Sequence, residues 1–189
     1  MKIAVFGGTF NPIHCGHLFL AEQVLHLGYE RIIFVPSFRP AHKDIDTKDS
    51  PGLRLQMTRL ACADREEFIV EDCEILRAGI SYTIQTIEDL MKKYTISGKP
   101  GLIIGDDLVA GFDSWKMADV LRKTVRIIIA HRTTGERFPF DGDHLYIDNA
   151  ILPLSSSDIR RRIVEGRAYR YLLPEVVYAF IRSRRLYLD

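Results

Sequence analysis

The segment Gly7-Gly8-Thr9-Phe10-Asn11-Pro12-Ile13-His14-Cys15-Gly16-His17 constrains this chain more than any other. It follows an apolar run, Ile3-Ala4-Val5-Phe6, and precedes helical spacing over residues 18–27 that stops at Gly28. The chain therefore opens as strand, turn and helix. Two glycines let the backbone of such a turn approach a ligand, and the unpaired N–H groups of the helix start can hold an anion. His14 and His17 lie three apart, so both can donate to phosphate oxygens from one face. Taken alone, they read equally well as one satisfied imidazole and one surface imidazole at a helix start. Neither GxxxxGK[ST] nor GxGxxG is present. A zinc site is disfavoured, because no CxxC or HExxH accompanies the pair.

The rest of the chain alternates strand and helix signals. Arg31-Ile32-Ile33-Phe34-Val35-Pro36 reads as a buried strand, parallel to the first through a crossover helix. A polar loop over residues 37–49 follows, and it is expected to order over a bound ligand. Ser50-Pro51 starts a helix with Leu53, Met57, Leu60 and Ala61 inward. Phe68-Ile69-Val70 is a strand. A helix led by Ser81-Tyr82-Thr83 turns Ile84, Ile87, Leu90 and Met91 inward. Leu102-Ile103-Ile104 is a third parallel strand ending at Gly105-Asp106-Asp107, where carboxylates fall on the ligand edge of an open sheet. A helical stretch over residues 115–121, a strand over 125–130 and a short strand over 144–147 come next. Ser155-Ser156-Ser157-Asp158 caps an arginine-rich helix, and a last helix runs from Pro174 to about Arg184. The pattern is α/β: a Rossmann-like doubly wound parallel sheet with a small helical C-terminal appendage, about 155–189, in one domain over 1–189.

Composition narrows the classes. A net charge of +1 gives no polyelectrolyte signal for nucleic acid. No apolar run reaches the roughly 18 residues of a membrane span, and no signal peptide is expected. Cys15, Cys62 and Cys73 have neither even number nor metal spacing, which fits a reducing cytoplasm. Oligomeric state is not readable.

Gly-x-Phe-x-Pro-x-His-x-Gly-His resembles the fingerprint of the nucleotidyltransferase superfamily. Further stretches resemble its bacterial nicotinate mononucleotide adenylyltransferases, in family order. They are Arg39-Pro40-Ala41-His42-Lys43, Ser81-Tyr82-Thr83-Ile84-Gln85-Thr86, Ile103-Ile104-Gly105-Asp106-Asp107 with Trp115, Ser155-Ser156-Ser157-Asp158-Ile159-Arg160, and Tyr171-Leu172-Leu173-Pro174. Gln85 stands in place of Asp, Ser157 in place of Thr, and Lys116 where many members carry Tyr.

The resemblance implies attack by the phosphate of nicotinate mononucleotide on the α-phosphorus of ATP, giving deamido-NAD and pyrophosphate. The nicotinamide mononucleotide enzyme is the alternative. It implies His14, His17 and Arg160 as catalytic groups, with the histidines at the ATP phosphates. Gly7, Gly8, Thr9 and Phe10 would lie along the nucleotide, and Ser156 and Ser157 with Arg160 would take the pyrophosphate. Gly105 and Asp107 would bind the ATP ribose, Lys43 the mononucleotide phosphate, and Thr83 and Trp115 the pyridine ring. Mg²⁺ would arrive bound to ATP, with no metal held by the protein alone.

Overall fold

The computed structural model describes residues 1–40, 50–133 and 135–188. Along the chain, β1 (Ile3–Gly8) leads through α1 (Cys15–Leu25) to β2 (Arg31–Pro36) and β3 (Arg39–Pro40). Then come α2 (Pro51–Cys62), β4 (Phe68–Val70), α3 (Cys73–Arg77), β5 (Ile80–Ser81), α4 (Thr83–Lys93) and β6 (Gly101–Gly105). The remainder is α5 (Ala118–Thr124), β7 (Arg126–Ala130), β8 (His144–Tyr146), α6 (Ser156–Val164) and α7 (Glu175–Arg184).

Six strands form one sheet in the order β4-β2-β1-β6-β7-β8, with all of these pairings parallel. The order reverses between β1 and β6. At such a switch point the connections leave toward opposite faces and open a crevice beyond the C-terminal strand ends. The expected doubly wound sheet is thus present, and its crevice begins at Gly7, Gly8 and Gly105.

Strands buried on both faces need apolar side chains at successive positions. Ile32, Ile33, Phe34, Val35 and Ile127, Ile128, Ile129 supply them and are wholly inaccessible. The pleat sends alternate residues to opposite sides. Ala4, Phe6 and Phe34 pack with Ile13, Leu20 and Val24 of the α1 region, with Met57 and Ala61 of α2, and with Ile159, Ile163, Val177 and Ile181 of the terminal helices. Ile3, Val5, Ile33 and Ile104 pack on the other side with Ile84, Ile87 and Leu90 of α4 and Leu121 of α5.

Several expectations on helix position change. The first helix starts at Cys15, not residue 18, so His14 is its N-cap and His17 stands in its first turn. In α2, Leu60 is exposed, while Arg54, Leu55, Met57, Thr58, Ala61 and Cys62 are buried. The buried stripe includes Arg54 because its guanidinium is consumed by two loop carbonyls described below. Met91 likewise lies on the solvent side of α4. Trp115 precedes its helix: two short 3₁₀ turns (Asp106–Leu108 and Phe112–Ser114) come first, and α5 begins after Met117, whose φ of 57° interrupts any continuous helix. Two-residue β3 and β5 pair in a small second sheet that periodicity could not reveal. Lys43, and most of the loop over residues 37–49, lie outside the described residues.

Candidate active site

The crevice at the switch point is a cavity of about 370 Å³. Of the residues singled out from sequence, it is lined by Gly7, Gly8, Thr9, Phe10, His17, Thr83, Gly105, Asp107, Trp115, Ser156 and Ser157. A second cavity of about 250 Å³ adjoins it and contains His14, with His17, Arg132 and Ser155 lining both.

The turn after β1 is shaped by packing. Phe10 sits at φ 49° and is buried. A non-glycine residue adopts this conformation only when its surroundings hold it there. Its ring lies edge-on to Phe6 at 5.7 Å and to His17 at 5.1 Å between centroids. It also covers Gly8 so closely that a Cβ there would fall 2.8 Å from the ring. Gly8 is therefore a packing requirement. Around a Cβ on Gly7, by contrast, there is open space on the cavity side.

Arg54 holds this turn from behind. It is 1% exposed, and its guanidinium donates to the carbonyls of Thr9 (2.7 Å) and Phe38 (3.0 Å). One planar fork thus ties the loop after β1 to the loop after β2.

His14 and His17 face each other, with ring centroids 3.7 Å apart. The backbone N–H of His14 donates to Nδ1 of His17 at 3.2 Å. An accepting Nδ1 carries no proton, so neutral His17 is protonated on Nε2. Burial, then the nearby positive charge of Arg132, pushes the His14 pKa down to about 4. Burial holds His17 well below the usual imidazole range, with smaller contributions from His14 and Arg132. At neutral pH the pair is uncharged and offers N–H groups, not cations.

The N-terminus of α6 closes the site. Ser155 caps it by accepting from the N–H of Asp158 at 3.1 Å. Ser156 donates through Oγ to the carbonyl of Pro12 at 2.9 Å. Arg160 donates to the carbonyl of Asn11 at 2.8 Å and to Ser157 Oγ at 3.4 Å. Arg160 lines neither cavity in this arrangement; it bonds the turn that carries the histidines.

At the ends of β6 and β7 the two aspartates divide their work. Asp106 is 3% exposed and accepts from the backbone N–H groups of Arg132 (3.0 Å) and Thr133 (3.2 Å) and from Thr133 Oγ1 (3.1 Å). Asp107 turns into the cavity and pairs with Arg132 at 3.2 Å. A Cβ on Gly105 would collide with both partners, at 2.2 Å from Asp107 Oδ1 and 2.5 Å from Arg132 Cδ. Trp115 stacks on buried Phe112 at 4.9 Å, and Thr83 opens α4 across the cavity.

Arg132 and Arg54 were not among the residues picked from sequence. Arg132 lies just past the C-terminal end of β7, and that position was the available signal. Arg54 carried none, since an arginine in a helix reads as solvent-facing even at a position on its buried stripe. Among the described residues, no three His, Cys, Asp or Glu side chains converge on a metal position. None of the described helices is long and apolar enough to cross a membrane.

The cytidylyltransferase-like family model matches residues 5–162. A probable nicotinate-nucleotide adenylyltransferase of Borreliella burgdorferi is 45% identical over 189 residues, covering 100% of this chain and 97% of the relative. Plasmodium falciparum nicotinic acid mononucleotide adenylyltransferase, solved in complex with NaAD, superposes with a TM-score of 0.77 at 19% identity, over 98% of this chain and 97% of that one. A putative nicotinate-nucleotide adenylyltransferase structure from Vibrio parahaemolyticus gives a TM-score of 0.72 at 20% identity, over 100% and 97%. These structural likenesses establish the fold.

Proposed function

The chain belongs to the cytidylyltransferase-like family, among its nicotinate-nucleotide adenylyltransferases, and on that premise we propose that it transfers AMP from ATP to nicotinate mononucleotide. A phosphate oxygen of the mononucleotide attacks the α-phosphorus of ATP and forms the new P–O bond. The bond from the α-phosphorus to the α–β bridging oxygen breaks, and pyrophosphate leaves with that electron pair. The products are deamido-NAD and pyrophosphate. The attacking phosphate is already an anion, so the chain need supply no Ser or Cys nucleophile. Catalysis then consists of positioning and of donors aimed at the phosphoryl oxygens.

One observation carries this reading. The turn after β1, His17 of the stacked pair of neutral histidines and the start of α6 converge on one cavity at the switch point, and His14 lines the cavity adjoining it. All three offer N–H or O–H groups, and none offers a nucleophile with an adjacent base. We assign the ATP phosphates to His14, His17 and Arg132, and the departing pyrophosphate to Ser156 and Ser157 at the α6 start, backed by Arg160. Gly105 and Asp107 take the ATP ribose, which requires Asp107 to exchange Arg132 for hydroxyl donors. Gly7, Gly8, Thr9 and Phe10 run beside the nucleotide. Thr83 and Trp115 bound the pyridine ring, and Lys43 meets the mononucleotide phosphate. Mg²⁺ would be held by the ATP phosphates themselves and would supply positive charge against their oxygens. The setting is cytoplasmic.

Pyrophosphate release from ATP, measured with no mononucleotide, with the nicotinate form and with the nicotinamide form, tests the reading. Release is expected chiefly with the nicotinate form. Release that ignores both mononucleotides would overturn it.

A further inference from the structure

We propose that Tyr187, beyond the last helix, is a positioning residue for adenylyl transfer: its hydroxyl holds Asn11, and through Asn11 the turn that orients the ring of His17. This role rests on the functional reading above and adds to it a residue that lines neither cavity.

The turn Asn11-Pro12, between β1 and α1, is held from two directions. From α6, Ser156 Oγ donates to the carbonyl of Pro12 at 2.9 Å and Arg160 to the carbonyl of Asn11 at 2.8 Å. From the tail, the Tyr187 hydroxyl donates to Oδ1 of Asn11 at 2.7 Å. Asn11 is 4% exposed, so bulk water does not replace a lost donor at no cost. The holds from α6 come from the groups assigned to pyrophosphate. Ser156 has one hydroxyl proton, so turning it to a phosphate oxygen means leaving Pro12. Arg160 must share its donors in the same way. Tyr187 faces no such competition, and its bond to Asn11 persists from substrates to products.

Two contacts that orient the His17 ring lie on either side of Asn11. Phe10, just before it, has the left-handed backbone of φ 49°, and its ring lies edge-on to His17 at 5.1 Å. Three residues after it, the N–H of His14 fixes His17 Nδ1. The tail is shaped to reach this turn. Arg185 stands at φ 52°, and the N–H of Leu186 returns to the carbonyl of Ile181 at 3.0 Å, a cap that turns the chain back after α7. Tyr187 follows at φ 65°, a conformation that a residue with a Cβ keeps only when its contacts hold it there. Its ring packs on the core and its hydroxyl lies 3.9 Å from Met57 Sδ.

The test uses Tyr187→Phe, which keeps the ring and removes the hydroxyl, in the parent and in His17→Asn. Loss of one hydrogen bond of ordinary strength should lower kcat about fivefold. KM for ATP and for nicotinate mononucleotide should stay within about twofold of the parent. A merely structural hydroxyl would lower the thermal midpoint and leave kcat of the folded enzyme unchanged. In His17→Asn the ring to be oriented is gone, so adding Tyr187→Phe should cost less than about twofold more. Asn11→Ala reaches the same bond from its other end and keeps the test decisive if Tyr187→Phe does not fold. It should lower kcat at least as much in the parent and be equally silent in His17→Asn. Parental kcat in either variant, or the full fivefold loss repeated in His17→Asn, would overturn the inference and leave the functional reading standing. A parent that turns over neither mononucleotide would instead overturn the functional reading, and the inference with it.

Discussion

His17 offers the sharpest perturbation, because the structure separates its two nitrogens. Nδ1 accepts from the His14 backbone N–H, and Nε2 is the protonated donor of the neutral ring. Asparagine places Oδ1 where Nδ1 stands and has nothing where Nε2 stands. His17→Asn therefore keeps the helix-start hydrogen bond and removes the donor. Loss of one fixed donor to a phosphoryl oxygen whose charge changes during transfer should lower kcat by roughly 10²–10³. The ATP dissociation constant should move less than about tenfold, since His14, Arg132 and the α6 start remain. His17→Ala removes the donor and also leaves the His14 N–H unbonded, which adds about 1 kcal/mol of instability. The two variants should thus share one turnover defect and differ in thermal midpoint, with His17→Asn the more stable. Steady-state pyrophosphate release, calorimetric ATP titration and thermal unfolding give the three numbers. Turnover of His17→Asn within about threefold of the parent, or a collapse confined to ATP affinity, would refute the assigned role.

Three further perturbations test the frame around the site. Gly8→Ala puts a methyl 2.8 Å from the Phe10 ring; it should destabilise by about 1–3 kcal/mol and weaken ATP binding, read by thermal unfolding and titration. Arg54→Met removes donors from the Thr9 and Phe38 carbonyls and should cost about 3 kcal/mol or more in denaturant unfolding. The third is a pH effect. The folded His14 refuses a proton until about pH 4, whereas the unfolded chain accepts one near 6.5. Its stabilising contribution is complete above 6.5 and is lost as pH falls toward 4, amounting to roughly 3 kcal/mol. Thermal unfolding between pH 7 and 4 should therefore show the parent losing more stability than His14→Gln; equal losses would contradict the assignment.

What was legible in the sequence follows physical rules of short range. Gly8 and His17 announced a strand-to-helix turn because glycine and the onset of helical period are local signals. Gly105 and Asp107 were found because they end an apolar strand, and strand ends in a parallel sheet lie on one edge. Arg54 was hidden because its role is non-local: it joins Thr9 to Phe38, and nothing in α2 itself calls for a buried guanidinium. Its inward position also explains why Leu60 faces solvent against expectation. Arg132 belongs to no motif, and its closeness to Asp107 exists only once β6 and β7 pair. Phe10 gave no hint of its left-handed backbone, which depends on Phe6, Gly8 and His17 closing around one ring. Arg160 was read as a direct phosphate ligand, yet in this arrangement its guanidinium bonds Asn11 and Ser157.

The central claim is adenylyl transfer to the nicotinate mononucleotide, and isotopic fate tests it most directly. With ATP labelled at the α-phosphate and the mononucleotide as co-substrate, the label should leave ATP and appear in a dinucleotide, one atom per pyrophosphate released. ATP labelled at the γ-phosphate should place all transferred label in pyrophosphate. Label from the γ-position in the organic product, or α-label remaining in free AMP without dinucleotide, would contradict the account.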